Sequence, residues 1–367
     1  MEDKKPKKHY AVQLALYTDI LEQLALSAGR VPFVWDIHGD EIAYDLDALQ
    51  GKRKPTALWS TYEDVLSNTT SITTAKDQTL PAYSSKCKLC QWRTSCLDSL
   101  QRTNDLSLIP DLGRAKRDAM MTHIKDRQEL ADADIDSLIK GNKTVIPGVG
   151  PDSLTKFQTR ARLQLQDDKP FLTKSLELPN LEVELFFDIE TDPMRDVCYL
   201  HGFVERRNGD NKTEKFVSFF ADDTSPEEEE KAFAGAWDYI KSLQPCIMYF
   251  YSKYERTIWR KLRNKYPDVM TEEEVEDLFD PKKSVDLLYD VVKKKTEWPT
   301  RDYTIKTLAS YLGFSWRDTD PSGASSIEWY YRWVETKDDS IRKRILEYNE
   351  DDCIATRVLL DGIRRLS

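Results

Sequence analysis

The spacing of apolar residues along this chain changes twice, and each change marks a new architecture. Over 10–26 the apolar positions recur at helical spacing. Two short runs, 31–37 and 41–44, then read as strands around a turn at Gly39. A helix over 61–66 leads into a Ser/Thr-rich stretch, 67–74, expected to be a loop. From 106 to 163 the pattern is of helices joined by Pro/Gly turns. Ile109-Pro-Asp-Leu-Gly113 and Ile146-Pro-Gly-Val-Gly150 are two copies of one turn design. Residues 165–180 have no clear period and read as a linker.

Beyond 181 the period shortens to that of strands. Segments 183–189, 198–206 and 215–220 predict three consecutive strands, followed by a helix over 226–243 with Ser225 as its cap and Pro226 at its first position. A buried strand at 246–251, a helix at 254–265 and further helices at 284–292, 304–312 and 341–363 complete the pattern. The predicted class is α/β, with a C-terminal mixed sheet flanked by helices.

A length of 367 residues calls for two or three domains, and 40% hydrophobic with 32% charged residues is a globular composition. The net charge of −10 does not exclude a nucleic-acid partner, because a local basic stripe decides binding. The acidic runs 227–230 and 272–277 are expected to be solvated helix faces. No stretch approaches 18 apolar residues and no signal-peptide pattern opens the chain, so no membrane partner and a cytoplasmic location are the expectation. Six cysteines do not make a disulfide framework; in a reducing compartment they are free, catalytic or metal-bound.

Two carboxylate motifs carry the chemistry. In Phe186-Phe187-Asp188-Ile189-Glu190-Thr191, Asp188 and Glu190 lie two apart in a strand and share a face. In Tyr348-Asn349-Glu350-Asp351-Asp352, Tyr348 and Asp352 lie four apart in a helix and share a face. Brought together, three carboxylates and a phenol require a cation to neutralise them, the arrangement of a two-metal phosphodiester-cleaving site.

On these residues, 181–367 resembles the DEDD exonucleases of the ribonuclease H-like superfamily, in the class with a tyrosine before the last aspartate. The family's first motif, Asp-x-Glu ending a core strand, matches Asp188 and Glu190; its last, Tyr-x-x-x-Asp, matches Tyr348 and Asp352. The middle motif is an aspartate opening the helix after a buried strand. Tyr251-Ser-Lys-Tyr254-Glu255-Arg256 holds that place, so Glu255, one methylene longer, is the candidate, with Asp286 in reserve. The resemblance implies a 3′–5′ exonuclease acting on single-stranded ends of DNA or RNA with two Mg²⁺ or Mn²⁺ ions. Asp188 and Asp352 would hold one ion and its water, and Asp188 would bridge to the second. Glu190 would orient the water or complete the first ion's shell, and Tyr348 would hydrogen-bond the nucleophile or the scissile phosphate. All-oxygen ligands suit Mg²⁺ or Mn²⁺, not zinc. Tyr303-Thr-Ile-Lys306-Thr-Leu308 resembles a Tyr-Ser-Leu-Lys segment of related sequences; Lys306 is either a phosphate contact or a solvated helix lysine. Trp298, Trp316, Trp329, Tyr330, Tyr331 and Trp333 serve either base stacking or core packing.

In the N-terminal half, Gln13 and Tyr17 resemble the last active-site motif of RecB-type PD-(D/E)XK nucleases. Cys87, Cys90 and Cys96 resemble the cysteines of those relatives that bind an iron–sulfur cluster. The whole chain thus resembles the predicted RecB-family nucleases with a ribonuclease H-like tail. The family's upstream aspartate and Glu/Asp-x-Lys pair have no counterpart after Met1, and Glu2-Asp3-Lys4 is no substitute, so the RecB-like fragment is expected to be truncated and inactive. With three cysteines, a cluster, a zinc with an outside ligand, or no metal all stay open. The two Pro/Gly turns resemble helix–hairpin–helix motifs. The second would offer Gly148 and Gly150, with Lys156, Arg160 and Arg162 on the next helix, to a phosphate; the first, with Asp111 in place of a glycine, would be structural. The expected organisation is a partial RecB-like fragment (1–100), a helix–hairpin–helix module (101–165), a linker (166–180) and the exonuclease domain (181–367). The rival readings are a non-catalytic nucleic-acid-binding protein and a nuclease subunit that depends on a protein partner.

Overall fold

The computed structural model describes residues 8–36, 39–51, 54–75, 79–166, 169–319 and 322–366. Glu2-Asp3-Lys4, and Ile37 at the end of the first expected strand, lie outside them. The chain forms two compact units, 1–80 and 81–367.

The first unit packs α1 (Lys8–Gln23) against α2 (Leu58–Thr73), with two small antiparallel pairs between them in sequence: β1 (Phe33–Trp35) with β2 (Glu41–Ala43), and β3 (Leu49–Gln50) with β4 (Thr56–Ala57). Ala11, Ala15, Tyr44, Leu46, Leu58, Trp59 and Tyr62 form its core. The stretch 67–74 is a helical continuation of α2 as far as Thr73, not the expected loop. Leu58, Tyr62, Val65 and Ile72 keep the helical stripe running, and the Thr73 and Thr74 hydroxyls donate back to Thr70 O, which gives these polar side chains helical partners.

In the second unit, α3 (Arg93–Arg102), α4 (Gly113–Met120), α5 (Arg127–Asp132), the ribbon β5 (Ile139–Lys140)–β6 (Lys143–Thr144) and α6 (Pro151–Gln166) form a helical module. Its two Pro/Gly turns share one backbone design. Leu112 N donates to Ile109 O, as Val149 N does to Ile146 O, and the third residue is left-handed in both, Asp111 at φ 64° and Gly148 at φ 75°. Ile109, Leu112, Ile146 and Val149 point into one core. The expected linker is a strap instead: β7 (Phe171–Leu172) pairs with a later strand, and Leu176, Leu178 and Leu181 pack against the next core. These leucines sit at a spacing that matches neither helix nor an alternating strand, so the sequence pattern hid their burial.

The remaining elements are β8 (Val183–Asp192), β9 (Val197–Arg207), β10 (Asp210–Phe220), α7 (Pro226–Ser242), β11 (Cys246–Phe250), α8 (Tyr254–Lys265), α9 (Glu272–Leu278), β12 (Ser284–Asp286), the single turn α10 (Lys293–Lys295), β13 (Thr296–Glu297, the partner of β7), α11 (Ile305–Tyr311), α12 (Gly323–Thr336) and α13 (Asp339–Arg364). The five-stranded sheet runs β10-β9-β8-β11-β12. The first three strands are antiparallel and the β8-β11-β12 side is parallel. Where a helix over 284–292 was expected, Ser284–Asp286 joins the sheet edge and Leu287–Val292 forms a wide helical turn, because pairing with β11 satisfies a backbone that would otherwise be buried unpaired.

Strand alternation sorts β8 between two cores. Leu185, Phe187 and Ile189 face the layer of α7, α8 and α9; Phe186 faces the layer of α11 and α13. A fully buried side chain of this size contributes roughly 1.5–3 kcal/mol. Helix α7 starts as expected, with Ser225 Oγ accepting from Glu228 N. Its acidic run is not all solvated, however. Glu229 is 1% exposed and accepts from Cys198 N, Lys265 Nζ and Tyr266 OH, so it ties α7 to β9 and α8.

Candidate functional site

The face of β8 opposite Phe187 carries Asp188 and Glu190, and α13 crosses it. One oxygen each of Asp188, Glu190 and Asp352 lies within 4.8 Å of the others. The close crossing depends on Gly202, which pairs with Asp188 across β8 and β9. A Cβ there would stand 1.6 Å from Asn349 Oδ1. A glycine inside a strand thus marks the approach of another chain segment.

Each carboxylate is held by a neutral donor. Asn349 Nδ2 donates to Asp188 Oδ2 at 2.8 Å, and Trp316 Nε1 to Asp352 Oδ1 at 2.7 Å. Ser326 of α12 hydrogen-bonds Glu190 and lies 2.8 Å from Tyr199 OH. Arg317 takes up the two neighbouring acids, with Nη2 on Glu350 Oε2 and Nε on Asp351 Oδ1, while Asp352 faces the cluster. Glu190 is buried at 6% exposure, whereas Asp188 and Asp352 keep an open edge.

The electrostatics follow from burial and crowding. Burial, and then repulsion from Asp352, Glu190 and Glu255, raises the Asp188 carboxyl well above the usual carboxylate range. Burial and Asp352 push Glu190 up to about 8, and burial raises Asp352. Lys306 opposes all three rises. Its Nζ donates to Tyr348 OH at 3.4 Å, so this residue faces the cluster rather than bulk solvent. Burial and the adjacent carboxylates raise the Tyr348 phenol far out of the titrating range, which makes it a hydrogen-bond donor and not a base.

Glu255 opens α8 behind a turn whose Ser252 has φ 125°, a conformation L-residues rarely adopt. It is 4% exposed and its Oε2 is buried without a hydrogen-bond partner. Burial lifts its pKa to about 8, and it adds to the charge felt by Asp188 while standing outside the three-oxygen set. Asp286 accepts from Tyr289 N at 3.0 Å and caps the turn after β12, so one oxygen is already committed. An oxygen-only set of crowded, desolvated carboxylates, beside an orphaned carboxylate oxygen, fits a hard divalent cation.

Residues 185–363 match the family model of the RNase H superfamily. The C-terminal region is a ribonuclease H-like domain. No curated protein and no solved structure matches the chain. The ribonuclease H-like domain therefore places Asp188, Glu190, Tyr348 and Asp352 together, with Lys306 and Glu255 beside them.

The other expected residues fare differently. Arg160 is not a phosphate contact: it is 1% exposed, and its guanidinium donates to Glu297 Oε2 at 2.7 Å and Pro110 O at 2.7 Å. It fastens the helical module to the ribonuclease H-like domain, because only a paired guanidinium tolerates such burial. Lys156 is partly exposed but lies 3.4 Å from Glu297 Oε1. Gly148 and Gly150 sit in open space at the start of α6. Gln13 Nε2 donates to Tyr17 OH at 2.7 Å on an exposed face of α1. Cys87, Cys90 and Cys96 are free thiols and are absent from the one three-ligand group found among the described residues. Cys87 Sγ instead accepts from Ser84 N. Trp329, Tyr330 and Trp333 are core residues, whereas Trp316 holds Asp352.

Sequence reasoning missed Asn349 and Ser326, and assigned Trp316 to base stacking or core packing rather than to Asp352. Asn349 stood inside the quoted motif, and Gly202 was its readable signal. Ser326 and Trp316 carried none, since each reaches its carboxylate from an element distant in sequence.

Proposed function

We propose that the ribonuclease H-like domain is a metal-dependent 3′–5′ exonuclease acting on single-stranded DNA or RNA. The observation that carries this reading is the convergence of Asp188, Glu190 and Asp352 within 4.8 Å, with Tyr348 and Lys306 beside them. Asp188 and Asp352 would hold a divalent ion, Mg²⁺ or Mn²⁺, and the buried free oxygen of Glu255 would face a second. Such ions lower the pKa of bound water and neutralise charge developing on the phosphate. The chain's own groups do the rest. Asn349 and Trp316 fix the aspartate rotamers, so the ligands need little reorganisation on binding. Glu190, held by Ser326, orients the attacking water. Tyr348 keeps its proton and donates to the phosphate or the nucleophile, and Lys306 adds positive charge beside it. Water attacks phosphorus, the bond to the 3′ oxygen of the penultimate nucleotide breaks, and that oxygen leaves with a proton.

The test is a time course on a 5′-labelled single-stranded oligonucleotide, DNA and RNA in parallel, with Mn²⁺, Mg²⁺ or EDTA, beside Asp188→Ala. Shortening from the 3′ end that EDTA and the substitution both abolish supports the proposal. Retained binding without cleavage in any ion would favour a nucleic-acid-binding protein.

A further inference from the structure

A cleft of about 1040 Å³ in the second unit is lined by Tyr348 and Asp352 together with Lys306, Arg93, Arg127 and Arg301. This exceeds the space of a typical small-molecule pocket, roughly 300–1,000 Å³. We infer that the cleft holds the sugar–phosphate backbone upstream of the strand's 3′ end, with Arg93, Arg127 and Arg301 as its phosphate-binding groups. This rests on the exonuclease reading and adds to it a role for the helical module, which supplies Arg93 from α3 and Arg127 from α5.

Four features favour a polyanion. First, Arg127 Nη1 donates to Gln164 Oε1 at 2.9 Å, but its Nε is buried without a hydrogen-bond partner, and so is the Nε of Arg301, which stands 3.8 Å from Asp302 Oδ2. A buried N–H left so costs about 1–3 kcal/mol, and both arginines line the cleft. Arg93 makes no side-chain hydrogen bond or ion pair among the described residues. Second, the acid within this part of the cleft is already engaged: Asp302 accepts from Tyr83 OH at 2.7 Å, from Thr304 N at 3.1 Å and from Thr304 Oγ1 at 2.9 Å. Third, the chain carries a net charge of −10, yet four cations line this cleft against Asp302 and Asp352. Local excess of that kind, not total charge, attracts nucleic acid. Fourth, Tyr311 is 42% exposed on the same lining and offers a ring to a base without sequence preference. Burial also lowers the pKa of Arg127, against the opposing pull of Asp105 and Asp126.

The test measures binding apart from cleavage. Full-length protein in EDTA is titrated against fluorescent single-stranded DNA and RNA across a salt series. Removing one arginine from its phosphate reduces the slope of log affinity against log salt by about 0.7 for single strands. Arg127→Ala/Arg301→Ala should weaken binding at least tenfold and lower the slope by about 1.4. Arg93→Glu, which disturbs no internal side-chain bond, should weaken it severalfold and guards against a folding failure of the double variant. With Mn²⁺, the ratio of kcat/KM for a long strand to that for a nucleotide p-nitrophenyl phosphodiester should fall by a similar factor. Unchanged affinity and salt slope in folded variants would overturn the inference even with an active exonuclease. Cleavage absent but binding still arginine-dependent would overturn the exonuclease reading alone.

Discussion

The first unit and the ribonuclease H-like sheet are both rich in apolar residues, but they dispose of them differently. In the sheet, β8 and β9 are buried on both faces, so alternate residues enter two separate cores. In the first unit, α1 buries Ala11 and Ala15 while Leu16, Tyr17, Ile20, Leu21 and Leu24 remain exposed, as do Phe33 and Trp35 of β1. Most of the large exposed apolar side chains among the described residues lie in 1–80. The lesson is that apolar spacing specifies an element, whereas a layer on each side makes it part of a core able to hold charges rigidly.

The sharpest way to test that contrast is to remove what the rigid core supports. Asp188→Ala and Asp352→Ala should each lower the rate of cleavage about a thousandfold or more, equivalent to about 4 kcal/mol. Because each deletes a repelling carboxylate, the melting temperature without metal should not fall. Wild-type turnover by either variant would reject the assigned site.

Packing comes next. Trp259 is fully buried among Phe187, Phe233 and Phe279, so Trp259→Ala should cost roughly 3–5 kcal/mol in urea unfolding. Trp35 is 70% exposed, and Trp35→Ala should stay within about 0.5 kcal/mol. Equal losses at the two sites would break the comparison. Gly202→Ala is the finer probe. The methyl group would displace Asn349 and with it Asp188, so roughly 1–3 kcal/mol of stability and much of the activity should be lost together. A Gly202→Ala protein with intact cleavage would show that the Asn349 contact is dispensable.

The smallest effect is on pH. Glu190 and Glu255 rise from 4.5 to about 8 on folding, so between those values the native state holds more protons than the unfolded chain. Their contribution is therefore fully present below about pH 4.5 and is lost as pH rises through 8. EDTA-treated protein should melt at progressively lower temperature from about pH 5.5 to about pH 8.5, and Mn²⁺ should restore more at the upper end. Thermal melts that rise over that range without metal would contradict the assigned burial of these carboxylates.

Much of this was readable in advance. The Asp-x-Glu and Tyr-x-x-x-Asp spacings place their side chains on one face whatever surrounds them, and the strand meander was plain in the apolar segments 183–189, 198–206 and 215–220. The stretch 67–74 was not, because its hydroxyls favour loops until back-bonding gives them helical partners. Nor was Arg160. A basic residue after a glycine turn suits phosphate equally well in sequence, and only Glu297, far along the chain, assigns it to the interior.

By itself the sequence determined the strand meander over 183–220 and the identity of the carboxylates, since both depend on local periodicity. Tertiary structure decided which groups hold those carboxylates and which arginines remain open to an anion. Asn349, Trp316 and Ser326 reach the site from α13, the segment before α12, and α12 itself, while Arg160 turns inward and Arg127 keeps a buried N–H without a partner. The physical reason is that ion pairs and hydrogen bonds act over a few ångströms in space, and a linear chain does not state which distant residues will lie that close.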